Sequence, residues 1–237
     1  MTILDAFNFY FEIVSANTEE LKQEAYKLRY QVYCVERGFF DIPPDGLEHD
    51  EDDEHSYHYL IRHKETDSYM ATTRLILTDR KNPEKLLPAE AYSKIDNIAL
   101  AKTIPRANLA ELSRFCVLKH FRRRASEQDL LVTNDADDYS RTSRGKNSSA
   151  SITLALFACA IRMSVEHNIE YWYALMDPAL NRVVAPLGIH IVEMGGLVDY
   201  HGMRMPCAVR VRDLLQSVAE RDKEYWEMLT NNGQFVF

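Results

Sequence analysis

Apolar positions in the first eighty residues switch between two periods. Phe9–Val14 (FYFEIV) is dense in aromatic and β-branched residues and predicts a strand. From Thr18 to Glu36 the spacing turns helical. Ala25, Leu28, Val32 and Val35 fall on one face, and Thr18 is placed to cap, with Glu19 and Glu20 after it. Gly38, Phe39 and Phe40 end that helix, and Pro43, Pro44 and Gly46 mark Asp41–Asp53 as a loop. Tyr57–Arg62 and Tyr69–Leu77 alternate as paired strands around the polar turn Lys64–Ser68.

Asn82–Leu109 is irregular and predicts short helices, and Ala110–Leu118 returns to a strand. Ala125–Ser149, rich in Ser, Asp, Asn and Arg, reads as a mobile insertion or lid. Beyond it the pattern predicts a helix at Ser151–His167 and a buried strand at Tyr171–Met176. A short helix follows at Pro178–Leu187, with Pro178 in its first turn and Gly188 at its end. Strands at Ile189–Met194 and Met205–Val211 and a helix at Asp213–Leu229 complete the chain. This order is mixed α/β (α+β). No internal repeat and no Pro/Gly/Ser-rich linker divides it, so residues 1–237 read as one domain with an insertion at about 125–149.

Composition narrows the classes. With 237 residues, 46% hydrophobic, the chain can fill one sizeable core. A net charge of −8 argues against general nucleic-acid binding. Acid is concentrated in Asp45–Glu54, and base in Lys119–Arg124 with Arg141, Arg144 and Lys146 after it. The basic patch is either a docking site for an anionic partner or a solvated face. Cys34, Cys116, Cys159 and Cys207 are scattered, without metal-ligand spacing, and fit a reduced setting. His49, His55, His58 and His63 match no zinc spacing, so no metal is expected. The N-terminus lacks a basic region before its apolar stretch, and Ile152–Ile161 is too short to span a bilayer. The expectation is a soluble, cytoplasmic protein.

The chemistry-bearing residues come in a fixed order: Arg29, Asp50, Asp53, Arg74, Glu111, Arg114. They sit in LRYQVYCVERGFF (28–40), LEHDEDD (47–53), ATTRL (71–75) and ELSRFCV (111–117). This order and spacing resemble the acyl-homoserine-lactone synthase family and its relatives, the N-acyl amino acid synthases, among them those associated with PEP-CTERM/exosortase systems. The resemblance covers the first half of the chain well and the second half in outline. It implies a GNAT-like acyltransferase fold, in which a mixed central sheet flanked by helices has two central strands splayed apart to admit a pantetheine arm.

It also implies transfer of a medium or long acyl chain from a thioester to an amine. Such a reaction needs a neutral amine held near the carbonyl, which lowers the barrier by roughly 7–11 kcal/mol through positioning alone. It needs donors for the oxyanion and a base for the nitrogen proton. Glu111 resembles the family's general base, acting directly, through water or as an orienting group. Arg29, Tyr33, Phe39, Asp50, Asp53, Arg74 and Arg114 match positions that bind or orient the acceptor. Phe39 stands where tryptophan is usual and keeps the aromatic wall without the indole N–H. For Tyr33 and Phe39 the plain alternative is helix-to-sheet packing, and for the acidic run it is a solvated face. If Ala110–Leu118 is a regular strand, Glu111 and Arg114 point to opposite faces.

Val117–Ala125 (VLKHFRRRA) lacks the glycine of the common coenzyme A loop. The resemblance therefore favours acyl carrier protein as donor, met by Lys119, Arg122, Arg123 and Arg124. Acyl-phosphopantetheine, or acyl-CoA, enters as substrate, and no tightly bound cofactor is implied. A small-molecule amine is the acceptor, no nucleic acid is expected, and a greasy product is compatible with peripheral membrane contact. Two other readings stay open: an autoinducer synthase using S-adenosylmethionine, and a noncatalytic GNAT-like sensor of carrier protein or fatty acid.

Overall fold

The structure is a computed structural model that describes residues 2–119, 121 and 149–237. Its first element is a helix, α1 (Ile3–Tyr10), where no helix was expected. Thr2 and Asp5 close a capping box, and Ile3, Leu4 and Phe7 bury one face. The predicted strand therefore starts only at β1 (Phe11–Ser15). Helix α2 (Glu19–Arg29) begins as expected, with the Thr18 hydroxyl accepting from the Leu21 N–H at 3.3 Å.

The helix then widens into π-type turns over Tyr30–Glu36. A π turn inserts an extra residue, so the apolar face slips. Arg29 becomes fully buried, while Val35, assigned inward by its spacing, is 51% exposed. Gly38, at φ +62°, ends the widened helix, and the Phe39 N–H closes back on the Tyr33 carbonyl at 2.8 Å.

Strands β2 (Ser56–His63), β3 (Ser68–Leu77) and β4 (Leu109–Val117) continue the sheet antiparallel, joined in the third connection by short helices α3 (Pro88–Tyr92) and α4 (Ile98–Ala101). Helix α5 (Ser149–His167) follows, then β5 (Tyr171–Met176) and α6 (Pro178–Val184). The predicted strand at Ile189–Met194 shrinks to β6 (Val192–Glu193). It is followed by β7 (Val198–Asp199) and β8 (Met203–Arg210). The predicted last helix is two helices, α7 (Val211–Arg221) and α8 (Lys223–Thr230). Asp222 leaves helical geometry at φ −160° and caps α8 by accepting from the Glu224 N–H at 2.8 Å.

The sheet order is β1-β2-β3-β4-β5-β8-β6, with β7 paired to the start of β8. Among the described strands only β4 and β5 run parallel. Helices α1, α5, α7 and α8 cover one face, packing on Leu75, Ala110, Leu112, Trp172 and Val209. Helix α2, with Ala25 and Leu28, and Val32 from the π-type turns after it cover Leu60 and Cys116 on the other face. On that second face the segment carrying α3 and α4 covers Ile76 and Tyr173. Helix α5 is apolar nearly all round because it lies between the sheet and α8. Among the described residues no helix is long and apolar enough to cross a membrane.

The parallel pairing is short. Leu109, Ala110 and Glu111 pair with Tyr171, Trp172 and Tyr173, and beyond that point β4 and β5 part. The expected splay is this separation.

Candidate active site

A cavity of about 220 Å³ fills the gap between the parting strands. β4 contributes Glu111 to Val117, and β5 with its extension contributes Ala174 to Asp177. The cavity passes from one face of the sheet to the other. On the α5 face its walls include Leu112, Leu156, Phe157 and Leu180, with Thr153 the polar exception. On the α2 face they are Tyr33, Phe39, Phe40, Arg74, Ser113 and Arg114.

The register explains how Arg114 reaches the α2 face. Thr72 pairs with Cys116 and Arg74 with Ser113, so Arg114 and Phe115 together oppose Thr73. This is a β-bulge, and Arg114 sits in it at φ +51°. The extra residue resets the alternation. Arg114 joins Ser113 and Arg74, while Phe115 turns to the other face and packs 5.0 Å from the Phe157 ring. The opposite-face expectation for Glu111 and Arg114 is thereby corrected.

Three arginines and three carboxylates meet on this face. Arg29 donates to Glu48 through Nε and to both oxygens of Asp53, at 2.7 and 3.1 Å. Arg74 donates to Asp50, to Asp53 at 2.8 Å and to the Ser113 hydroxyl at 3.0 Å. Arg114 donates to Glu48 at 2.8 Å and to Asp50 at 2.8 Å. Asp53 also accepts the Asp50 N–H at 2.8 Å, which fixes the turn Glu51–His55. The formal charges cancel, which is what buried ions require.

Burial raises the Glu48 carboxyl, but Arg29 and Arg114 outweigh it and hold it at about 2. Burial likewise opposes Asp53, and Arg29 and Arg74 hold it well below the usual range. His58 lies 3.4 Å from Asp53, and burial, then Arg29, push it down to about 3, so it stays neutral.

The predicted residues thus fall into two groups. Tyr33, Phe39, Arg74, Glu111 and Arg114 line the cavity. Arg29, Asp50 and Asp53 do not. Arg29 and Asp53 lie beneath the wall with side chains 0% and 5% exposed, and Asp50 bridges Arg74 to Arg114. Lys119 is exposed at the end of β4, where its N–H donates to the Glu36 carboxylate at 3.1 Å. Arg122, Arg123, Arg124 and nearly all of the expected insertion lie outside the described residues.

Sequence reasoning missed Glu48. Its signal was present, since Glu48 and Asp50 flank His49 at strand-like spacing within the same acidic run, but only the D-x-x-D pair was read. It also missed the wall supplied by Arg37, Phe40, Tyr200, His201 and Arg204.

Glu111 sits where the strands part. Burial pushes its carboxyl up to about 8, against the opposing pull of the Ala89 N–H and of Arg74. The Ala89 N–H donates to Oε2 at 2.7 Å, which anchors the first turn of α3. Its partner in β3 is Ile76, so it belongs to the α2 face. Cys116, in the same wall, is pushed to about 12 by burial and is hydrogen-bonded to Tyr33. It therefore stays a thiol and is no ready nucleophile.

Residues 28–132 match the family model described as the acetyltransferase (GNAT) domain. Among curated proteins the chain matches none. Among solved structures it is similar to TofI, seen in a ternary complex with an inhibitor and MTA (16% identity, 91% of this chain and 99% of that one, TM-score 0.59). It is similar to BjaI, a CoA-dependent acyl-homoserine lactone synthase seen with SAM and isopentyl-CoA (17%, 90% and 88%, 0.58). It is also similar to FeeM, an N-acyl amino acid synthase from uncultured soil microbes (13%, 87% and 93%, 0.57). With its mixed sheet opening between β4 and β5, the chain has the GNAT fold that these solved structures share.

Proposed function

We propose that the protein is an N-acyltransferase. It takes a medium or long fatty acyl chain from the thioester of acyl carrier protein and attaches it to the amine of an amino acid or similar acceptor. The observation that carries this reading is Glu111, a buried carboxyl held at about 8 where a charged wall meets an apolar one. The acyl chain and pantetheine arm fit the gap between β4 and β5, with the chain against Leu156, Phe157 and Leu180. The amine approaches on the α2 face, where Glu111 lies.

The nitrogen attacks the thioester carbonyl, and a C–N bond forms. Ionised Glu111 takes the nitrogen proton directly or through a water. The bulge at Arg114 and Phe115 supplies amide donors for the oxyanion. Collapse breaks the C–S bond, and the leaving thiolate takes up the proton. Cys116 remains a thiol throughout, which supports direct attack over an acyl-enzyme.

In this reading Arg29, Asp50 and Asp53 orient the wall, while Tyr33, Phe39, Arg74 and Arg114 face the acceptor. Lys119, Arg122, Arg123 and Arg124 meet the acidic carrier protein. Residues 1–237 act as one domain in the cytoplasm, in the manner of the PEP-CTERM/exosortase-associated acyltransferases.

Incubation with carrier-protein and coenzyme A thioesters and a panel of amines, read by mass spectrometry, tests the proposal. A stable N-acyl amino acid supports it. A second reading, acyl-homoserine-lactone synthesis from S-adenosylmethionine, is favoured equally by the likeness to BjaI. Release of lactone and methylthioadenosine in the same assay selects that reading instead. Thioester consumed no faster with the protein than without it, across the whole panel, removes both.

A further inference from the structure

Two arginines on the charged side of the cavity stand outside the ion-pair network. Arg37 directly follows the widened helix, and Arg204 lies near the start of β8. Both line the cavity, and among the described residues neither meets a carboxylate. The guanidinium carbon of each lies 5.6 Å from the centroid of the same ring, that of Phe39. An aromatic face holds a guanidinium without cancelling its charge.

Arg204 is fixed further by donating to the carbonyls of Met203 at 3.0 Å and His201 at 2.8 Å, which leaves other N–H groups of its fork unused. Gly202, at φ +93°, makes room for that posture, since a Cβ there would lie 3.3 Å from Arg204 Nη1. The two segments are tied across the cavity mouth. His201 Nδ1 is 3.0 Å from the Phe39 carbonyl, and its ring is 4.2 Å from that of Phe40.

The charges around this mouth do not balance. Arg29, Arg74 and Arg114 are matched by Glu48, Asp50 and Asp53. Burial keeps Glu111 largely protonated at neutral pH. Among the described lining residues Asp177 is the remaining acid, and it is engaged as the cap of α6, accepting from the Ala179 N–H at 2.9 Å. Among the described residues, two cations therefore face one acid. A net-cationic acceptor is disfavoured there, and a planar anion is favoured by two guanidinium forks. The surplus lies on the α2 face together with Glu111, the group that must meet the amine. An α-amino acid carries its carboxylate one carbon from its amine.

We propose that Arg37 and Arg204 form a carboxylate-recognition site that selects an α-amino acid as acceptor. This rests on the acyl-transfer reading above, and the test separates the two. The probes are N-dodecanoyl-glycine and N-dodecanoyl-glycinamide, which share the backbone common to every N-acyl α-amino acid and differ only in the carboxylate. Calorimetry with the wild type should show the acid bound at least about tenfold more tightly than the amide. The double variant R37Q/R204Q should bind both equally, and R37K/R204K should restore part of the preference. Arg37 is exposed and Arg204 half-buried, both outside the buried network, and circular dichroism checks that the variants remain folded.

A wild type without preference for the acid, or a preference that survives in R37Q/R204Q, overturns the proposal. So does a loss of coenzyme A binding at an unchanged acid-to-amide ratio, which assigns the pair to donor phosphate. If the wild type acylates no amine yet shows the arginine-dependent preference, the anion site stands and the transfer reading falls.

Discussion

The two walls of the cavity belong to one sheet but are held in place by different physics. On the α2 face, Arg29, Arg74 and Arg114 are locked to Glu48, Asp50 and Asp53 by oriented hydrogen bonds. On the α5 face, Leu112, Leu156 and Phe157 are held by close packing between sheet and helix. The first wall fixes directions and tolerates no missing partner. The second excludes water and accepts any apolar chain that fits. The proposed reaction, which joins a zwitterion to a fatty chain, needs both, and the parting of β4 and β5 brings them within one gap.

The sharpest way to separate the walls is to damage each and read stability against pH. Arg29→Ala leaves Glu48 and Asp53 buried without their main cation, a loss of about 3–5 kcal/mol. For a chain of this size that lowers the melting temperature by on the order of 10 °C. Leu156→Ala opens a cavity in the other wall at a comparable cost of about 2–5 kcal/mol.

The two differ in acid. Glu48 has a folded-state value of about 2 against an ordinary 4.5. Its contribution is therefore present above about 4.5 and is lost as the pH falls toward 2. The Arg29→Ala penalty should shrink over that window, whereas the Leu156→Ala penalty should stay constant. Calorimetric melts at several pH values decide it, and parallel profiles would mean the network carries no linkage.

Glu111 stands at the junction of the walls. Glu111→Gln keeps an acceptor for the Ala89 N–H and removes the proposed base. Turnover should fall on the order of 10²-fold with donor binding unchanged. In the wild type the rate should rise with pH through about 8, as the carboxyl ionises.

The stability effect runs the other way. An acid whose folded value is raised from 4.5 to about 8 makes the native state bind the extra proton. Stability then declines as the pH climbs between those values. Glu111→Gln should abolish that decline and be the more stable protein at pH 9, by a few kcal/mol. A variant that is slower but no more stable there would mean the carboxyl ionises freely in the folded state.

The charged wall was more legible in the sequence than its geometry. Arginines and carboxylates could be picked out because their order and spacing resemble those of the synthase family. The helix before them was readable by period up to Arg29. The π turns after it were not, since no local pattern announces an extra residue, and so Val35 was assigned inward. The bulge that brings Arg114 beside Arg74 was hidden for the same reason. Arg114 lies at φ +51°, a conformation its residue type does not advertise. The missed wall at Tyr200–Arg204 is distant in the chain from Phe39 and joins it only through tertiary contacts. Helix α1 was lost to the strand pattern of the aromatics Phe9 and Tyr10, although its Thr2–Asp5 box could have been read.

The mildest perturbation tests whether the apolar wall only shelters the chain or also measures it. Leu180 projects from α6 into the cavity and is half-buried, packed against the cluster that includes Phe157. Asp177 and Pro178 set the start of that helix, so the position is rigid. Leu180→Trp should fill space that a long acyl chain would use without touching the charged wall. The expected result is about a tenfold fall in kcat/KM for the longest accepted thioester, with short-chain thioesters nearly unaffected. A uniform fall across chain lengths would mean that Leu180 acts through the position of β5, and that the chain runs elsewhere. If the preference moves and the dependence on amine does not, the two walls work independently, as their separate physics requires.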